Sequence, residues 1–423
     1  MTNATATLTP QFELTLDQQT AMDALYKFLC DPIETVFVLS GYSGCGKSTL
    51  VRTLIDCLPG FMKTAKLIDP TSREYELKLT ATTNKAAENL GRITGGEATT
   101  IHSFLGLRVH TVYATGVTTL IPKNHDVYEG YMLVVDEASY IDSQLLKFIF
   151  SKTKNCKIVF VGDPAQLTPV KSSGTPVFDA NFSGAALTTV VRQAEGNPIV
   201  ALSTKFRHAV NSGEFFKFTP DGHNVQYLCR DDFNQKIEQE FNRPGWRYQD
   251  SKILGWTNKC VVDYNKFVRN SVKGDPHFAV GDYAVCNSFL SVGRKSIKTD
   301  QLVEITQISA DYEIHGVLGN LFRMDHDVSA FMPKTLESKN ARIKKAKADN
   351  EIRLIAEIES EWVDLRAAYA CTINKAQGST FDEVFIDLDD VSRCNSGDQI
   401  ARMLYVAVSR ARNHVYLTGD LVK

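Results

Sequence analysis

The sequence predicts an α/β protein of several domains, and three observations carry that expectation. At 423 residues the chain exceeds the size at which a single hydrophobic core stops growing, so two or more lobes share it. Short apolar runs at 36–39, 77–81, 132–135, 157–161, 253–256, 384–388 and 415–417 read as strands buried on both faces. Most are followed by a polar loop and a helical pattern, the rhythm of βαβ units whose ligands bind at the carboxyl ends of the strands.

Composition narrows the class further. The apolar share of 43% and charged share of 23% are those of a soluble globular chain, and no run of about twenty apolar residues offers a membrane span. The opening MTNATATLTP has neither the basic nor the apolar region of an export signal, so a cytoplasmic setting is expected. A net charge of −2 argues against a protein that coats polyanions along its whole surface. It leaves room for a local basic groove, because the distribution of charge matters more than its sum. Nine cysteines without a C-x-x-C pair or zinc-like His spacing read as reduced, mostly buried thiols.

Two stretches break the βα rhythm. Residues 108–131 alternate around Thr115-Gly116 in the manner of a small inserted β-hairpin. Residues 274–365 begin with short β-like pieces that suggest a small barrel, then continue into a charge-laced segment, KNARIKKAKADNEIRLIAEIESEWVDL, that reads as one long amphipathic helix.

The sharpest chemical signal is Gly41-Tyr-Ser43-Gly44-Cys45-Gly46-Lys47-Ser48, placed between the apolar VFVLS and the helical pattern that begins at Thr49. A phosphate chain needs backbone N–H groups turned toward it, glycines that allow the turn, a helix N-terminus and one lysine. Lys47 is expected to reach the β- and γ-phosphates and Ser48 to ligate Mg²⁺. Asp136-Glu137, at the end of YMLVVDEAS, supplies a carboxylate for the metal and a second one as general base for the lytic water. An acidic pair after a strand is by itself commonly a solvated turn; the phosphate loop is what gives this pair a task.

A further strand ends in Asp163-Pro-Ala-Gln166, where the Gln166 amide is placed to sense a γ-phosphate or the attacking water. Arg192 in LTTVVRQ and Arg410 in LYVAVSRAR are the arginines expected to stabilise charge on the transferring phosphoryl group. Standing alone, each would read as an ordinary surface charge.

With those residues in place, the chain resembles superfamily 1 helicases of the 1B branch, which includes RecD and the phage Dda helicase, and it is most similar to the Dda-like members. Gln18 looks like the Q motif that reads adenine, and 41–48 like motif I. Residues 81–87, with Thr83 and Lys85, resemble motif Ia, and Thr100-Ile-His102-Ser resembles the TIHS element. Asp136-Glu137-Ala-Ser resembles motif II, Gly162-Asp-Pro-Ala-Gln166 motif III, and Arg192 the motif IV finger. Trp256-Thr-Asn258-Lys259 with Asn265 is similar to the stretch after motif IV, residues 371–379 to motif V, and 405–412 to motif VI. One departure is Asn374, which stands where motif V has His before its Lys.

The resemblance implies two RecA-like parallel-sheet motor domains, an inserted β-hairpin pin and an SH3-like barrel with a helical arm. On that pattern domain 1A is 1–107 and 132–190, pin 1B is 108–131, domain 2A is 191–273 and 366–423, and 2B is 274–365. The implied activity is that of a DNA-stimulated, ATP-dependent DNA helicase travelling 5′ to 3′ on single-stranded DNA in replication, recombination or repair. ATP and Mg²⁺ are the implied cofactors. Gln18, Gly41, Ser43, Gly44, Cys45, Gly46, Lys47, Ser48 and Thr49 would hold the nucleotide, and Ser48 and Asp136 the metal. Lys47, Glu137, Gln166, Arg192 and Arg410 would act in catalysis.

Implied DNA contacts are Thr83, Lys85, His102, Asn258, Lys259 and Thr372, although short polar residues at such places also cap helices. Val112, Tyr113 and Leu120 are the candidate wedges of the pin. The implied partners are single-stranded DNA and ss/dsDNA junctions, with single-strand-binding or replisome proteins beyond them and no membrane. The protein would be a monomer, and a phage-encoded one would work in the bacterial host's cytoplasm. Three other readings stay open: a translocase that does not unwind duplexes, a nucleic-acid scaffold with a dead nucleotide site, and a P-loop metabolic kinase. The last would lack the motifs of the second lobe.

Overall fold

The computed structural model describes residues 14–112, 117–169, 174–191, 196–325 and 327–421. The expected turn at Thr115-Gly116, the candidate wedge Tyr113 and the expected finger Arg192 lie outside them. The chain divides into two compact units, Met1–Phe216 with Leu404–Ser409, and Lys217–Met403 with Arg410–Lys423.

The first unit is built on a six-stranded sheet in the order Ser183–Leu187, Val36–Gly41, Lys157–Gly162, Tyr131–Asp136, Glu76–Ala81, Ala98–Thr100. Every pairing in it is parallel. Because side chains alternate along a strand, each central strand feeds two cores. Phe37, Leu39, Val159 and Val161 pack with Leu25, Phe28, Leu50 and Leu54 from the helices Leu16–Cys30 and Lys47–Ile68. Val38, Ile158 and Phe160 pack on the opposite face with Leu145 and Ile149 of the helix Ser143–Lys152. Double-sided burial is why these strands read as unbroken apolar runs.

The two edge strands of this sheet, Ser183–Leu187 and Ala98–Thr100, carry no such signal, because nearly all their residues are exposed or only half-buried. The hairpin insert is present as an antiparallel pair, Leu107–Val112 with Val117–Pro122. Leu120, a candidate wedge, packs partly buried against the second of these cores.

The second unit carries a five-stranded parallel sheet in the order Val225–Tyr227, Ala411–Thr418, Phe381–Asp387, Ser251–Gly255, Ala370–Thr372. Two expected boundaries move. Trp256 lies past its strand, and Leu388 opens the short helix Leu388–Val391. The insert holds a five-stranded antiparallel sheet, Val328–Pro333, Val317–Met324, Leu302–Ile314, Tyr283–Cys286, Leu365–Ala367. Its far edge is bridged back by Phe331 and Trp362, with the Val363 amide donating to the Phe331 carbonyl at 2.9 Å.

The long helix expected after the barrel is instead two, Leu336–Ala348 and Ile352–Glu361. The break falls at Asp349-Asn350, where Asn350 takes φ 60°; short polar side chains tolerate that left-handed turn and weaken a helix interior. The thiols also differ from expectation. Cys45, Cys156 and Cys286 are buried, but Cys229 is exposed and the rest are intermediate. Among the described residues no helix is long and apolar enough to cross a membrane.

Candidate ATP site and nucleic-acid interface

The phosphate loop leaves the Val36–Gly41 strand and enters the helix Lys47–Ile68. Gly44 and Gly46 both have φ 81°, a conformation that costs a residue with a Cβ. At Gly46 space is short as well: a Cβ there would come within 2.5 Å of the Gln18 amide nitrogen. That nitrogen donates to the Cys45 carbonyl at 3.0 Å, while Gln18 Oε1 accepts from the Thr15 amide at 3.0 Å as half of a capping box. Gln18 thus braces the loop from below with both ends of its side chain engaged, a task the sequence did not reveal beside its expected adenine contact. The Lys47 ammonium folds over the mouth of the loop, donating to the carbonyls of Gly41 at 2.8 Å and Tyr42 at 2.9 Å. The Val191 amide donates to the Gly44 carbonyl at 3.0 Å, which brings the segment leading to Arg192 against the loop.

Asp136 ends the Tyr131–Asp136 strand at the same carboxyl edge of the sheet. Burial, and then the negative charge of Glu137, push its carboxyl up to about 7, with Lys47 pulling the other way. The Ser48 hydroxyl and the Asp136 carboxyl are oxygen donors of the kind a hard divalent cation takes. Glu137 adopts φ 55°, a strained backbone for a residue with a side chain and one that concentrates at working sites. Its carbonyl accepts from the Thr82 hydroxyl at 3.2 Å, and the Asp136 carbonyl accepts from the Thr82 amide at 3.2 Å. The acidic pair is therefore tied to the segment carrying Thr83 and Lys85.

Gln166 is buried, and its backbone N–H donates to the Asp163 backbone carbonyl at 3.1 Å. Asp163 is itself completely buried. Its carboxylate accepts from the Ala165 amide at 3.0 Å, from the Tyr405 hydroxyl at 2.5 Å and from the Arg207 guanidinium. Neither Arg207 nor the Tyr405 hydroxyl is singled out by sequence. Arg207 sits in the helix Pro198–Ser212 with nothing local to mark it.

Four motif threonines share one role. Thr83, Thr100, Thr257 and Thr372 each cap a helix, accepting from the amides of Ala86, Ser103, Cys260 and Lys375. Helix N-termini present amides and partial positive charge, a setting that suits phosphate. Lys85 is exposed. Burial pushes the His102 imidazole down, with Asp142 opposing, so the ring is held toward its neutral form.

In the second unit, Asn258 and Lys259 begin the helix Asn258–Phe267 right after the Thr257 cap. Asn265 locks that helix to the neighbouring strand, accepting from the amides of Tyr369 and Ala370 at 3.1 and 3.0 Å. The Lys375 ammonium pairs with Asp300 at 2.6 Å. Arg410 is buried and donates to the Ser379 carbonyl at 3.2 Å, which ties motif VI to motif V.

A family model for an AAA domain matches residues 13–226, just over half of the chain, and one for a UvrD-like helicase C-terminal domain matches 367–418. The chain belongs to the AAA domain family, as a superfamily 1B helicase. This helicase is 24% identical to the ATP-dependent DNA helicase Dda of Enterobacteria phage T4, over 96% of its own length and 99% of the relative's. It is 25% identical to the ATP-dependent RecD2 DNA helicase of Deinococcus radiodurans, over 90% of its length and 47% of the relative's. A Pif1 helicase of Bdellovibrio bacteriovorus is 25% identical over 95% of this chain and 87% of that one. Among solved structures, Pif1 from Bacteroides with ADP-AlF3 and ssDNA superposes with a TM-score of 0.53 at 17% identity, covering 98% of this helicase and 94% of that chain. At that identity the likeness speaks to the fold.

Proposed function

We infer that this ATP-dependent DNA helicase moves 5′ to 3′ along single-stranded DNA and opens the duplex ahead of it, with the first unit's phosphate loop as its ATP site. The observation that carries the reading is the meeting of opposite charges at one carboxyl edge: the Lys47 ammonium lies close enough to the Asp136 carboxyl to pull it down against burial and the charge of Glu137.

In this reading Lys47 releases the loop carbonyls to take up the β- and γ-phosphates, and Glu137 receives a proton from the attacking water. Ser48 and Asp136 would hold Mg²⁺, which when bound neutralises charge on the phosphates. Gln166 orients the water or reads the γ-phosphate, while Arg192 and Arg410 bring positive charge to the leaving groups. Thr83, Lys85, His102, Asn258, Lys259 and Thr372 line the track. Capped helix ends and lysines hold phosphates without reading bases, so the track is independent of sequence. The division into domains 1A, 1B, 2A and 2B belongs to the same reading, as does a monomer acting at ss/dsDNA junctions. Its support is the run of ordered motifs and the match to Dda along nearly the whole of both chains.

The test is ATP-dependent strand separation, under single-turnover conditions, of matched duplexes with either a 5′ or a 3′ single-stranded tail. Opening of the 5′-tailed substrate alone is expected. Opening of the 3′-tailed one alone would reverse the polarity, and DNA-stimulated hydrolysis without opening would leave a translocase.

A further inference from the structure

The Asp163 network closes into a ring. The Ser43 amide donates to the Tyr405 hydroxyl at 2.9 Å, and that hydroxyl spends its one proton on the Asp163 carboxylate at 2.5 Å. Asp163 is paired in turn with the Arg207 guanidinium, which lies 4.0 Å over the ring of Tyr42, the residue before Ser43. Tyr405 and Arg207 are almost wholly buried, at 2% and 9% exposure. All five residues belong to the first unit.

A buried ion pair is weak evidence for stability, because desolvation offsets most of its attraction. What such a pair supplies is direction. The phenol has one proton, and Asp163 can only accept it, so the hydroxyl must face Ser43 with its lone pair. The guanidinium plane then fixes Tyr42 from the other side. Two consecutive residues of the phosphate loop are thus oriented by Asp163, whose backbone carbonyl also accepts from the Gln166 backbone N–H and so shapes the turn that carries Gln166.

We propose that Arg207 and Tyr405 are positioning residues for ATP hydrolysis, setting the Tyr42–Ser43 limb of the phosphate loop against Gln166 through Asp163. The proposal rests on the ATP-site reading above. Neither side chain is asked to touch phosphate; their work is to hold two reacting parts of the site in one geometry, where small misplacements are costly.

The experiment compares the full-length wild type, Tyr405→Phe, Arg207→Lys and the double variant, with saturating oligothymidylate. It records kcat and KM for ATP, the affinity for a fluorescent ATP analogue, and nucleotide-free thermal melting. Tyr405→Phe removes one oxygen, and Arg207→Lys keeps the charge but loses the planar fork. Each is expected to lower kcat by about fivefold or more while the affinity for the analogue changes by less than about twofold. The double variant should lose no more than the worse single one, because both act through Asp163. Wild-type kcat in both single variants, losses that multiply in the double, or losses that vanish well below the melting temperature would overturn the proposal. A wild type with no DNA-stimulated hydrolysis would instead bring down the ATP-site reading itself.

Discussion

The buried carboxylate of Asp390 holds the turn at Thr257 from three directions. It accepts from the Thr257 hydroxyl at 2.6 Å, the Thr257 amide at 2.8 Å and the Trp256 amide at 2.6 Å. The same Thr257 hydroxyl accepts from the Cys260 amide at 3.1 Å to cap the next helix. An anion from elsewhere in the chain thereby sits at a helix start, where amides favour negative charge. Asp390→Ala would strand two partly buried amides, at about 1–3 kcal/mol. Urea unfolding should show a loss of that size, and ssDNA affinity should fall because Asn258 and Lys259 follow the loosened turn. Unchanged stability would mean that water replaces the carboxylate without cost.

Lys47→Ala should remove ATP hydrolysis and leave ssDNA binding in place, as measured by turnover and by fluorescence anisotropy. Arg410→Ala should lower kcat far more than ATP affinity, since a group that meets charge developing in the transition state has little to hold before it. Wild-type kcat in either variant would withdraw that residue's assigned role.

Chelation of divalent cations should stop hydrolysis. Asp136→Asn should raise the Mg²⁺ concentration needed for half-maximal turnover by about tenfold or more, because one charged oxygen ligand is lost. Glu137→Gln should leave that requirement near its original value and lower kcat by about two to four orders of magnitude, the worth of a general base. A shared Mg²⁺ shift in both variants would show that the two carboxylates do not divide their labour.

The salt dependence of DNA binding should separate charged from neutral contacts. Lys85→Ala and Lys259→Ala should each reduce the slope of log K against log salt by about 0.7, the value for one phosphate contact on a single strand. His102→Gln should leave the slope unchanged at pH 8. Burial lowers the His102 pKa, so the imidazole becomes cationic only as pH falls below that depressed value, and any contribution of His102 to the slope should appear only on acidification. An equal effect of His102→Gln on the slope at pH 8 would show that the ring carries charge there.

Much of this helicase was legible in one dimension. The central strands announce themselves because both faces are buried, and the phosphate loop because its glycines answer a backbone requirement that no other residue meets as cheaply. The same locality explains what was missed. Ser183–Leu187 and Ala98–Thr100 are edge strands with little apolar demand, and the helix break at Asn350 turns on one left-handed residue inside a pattern that reads as continuous.

What the sequence by itself determined was the α/β class, the parallel sheets, the order of the motifs and the chemical type of each candidate site residue, since these follow from local pattern and spacing. What only the tertiary structure decided was how those residues are held. Gln18 bracing Cys45, Asp390 gripping Thr257, and Arg207 with Tyr405 steering Asp163 join residues 27, 133, 44 and 242 positions apart. Such partners are chosen by burial, where a charge or an amide must find its complement wherever the fold brings one, and no local spacing records that choice.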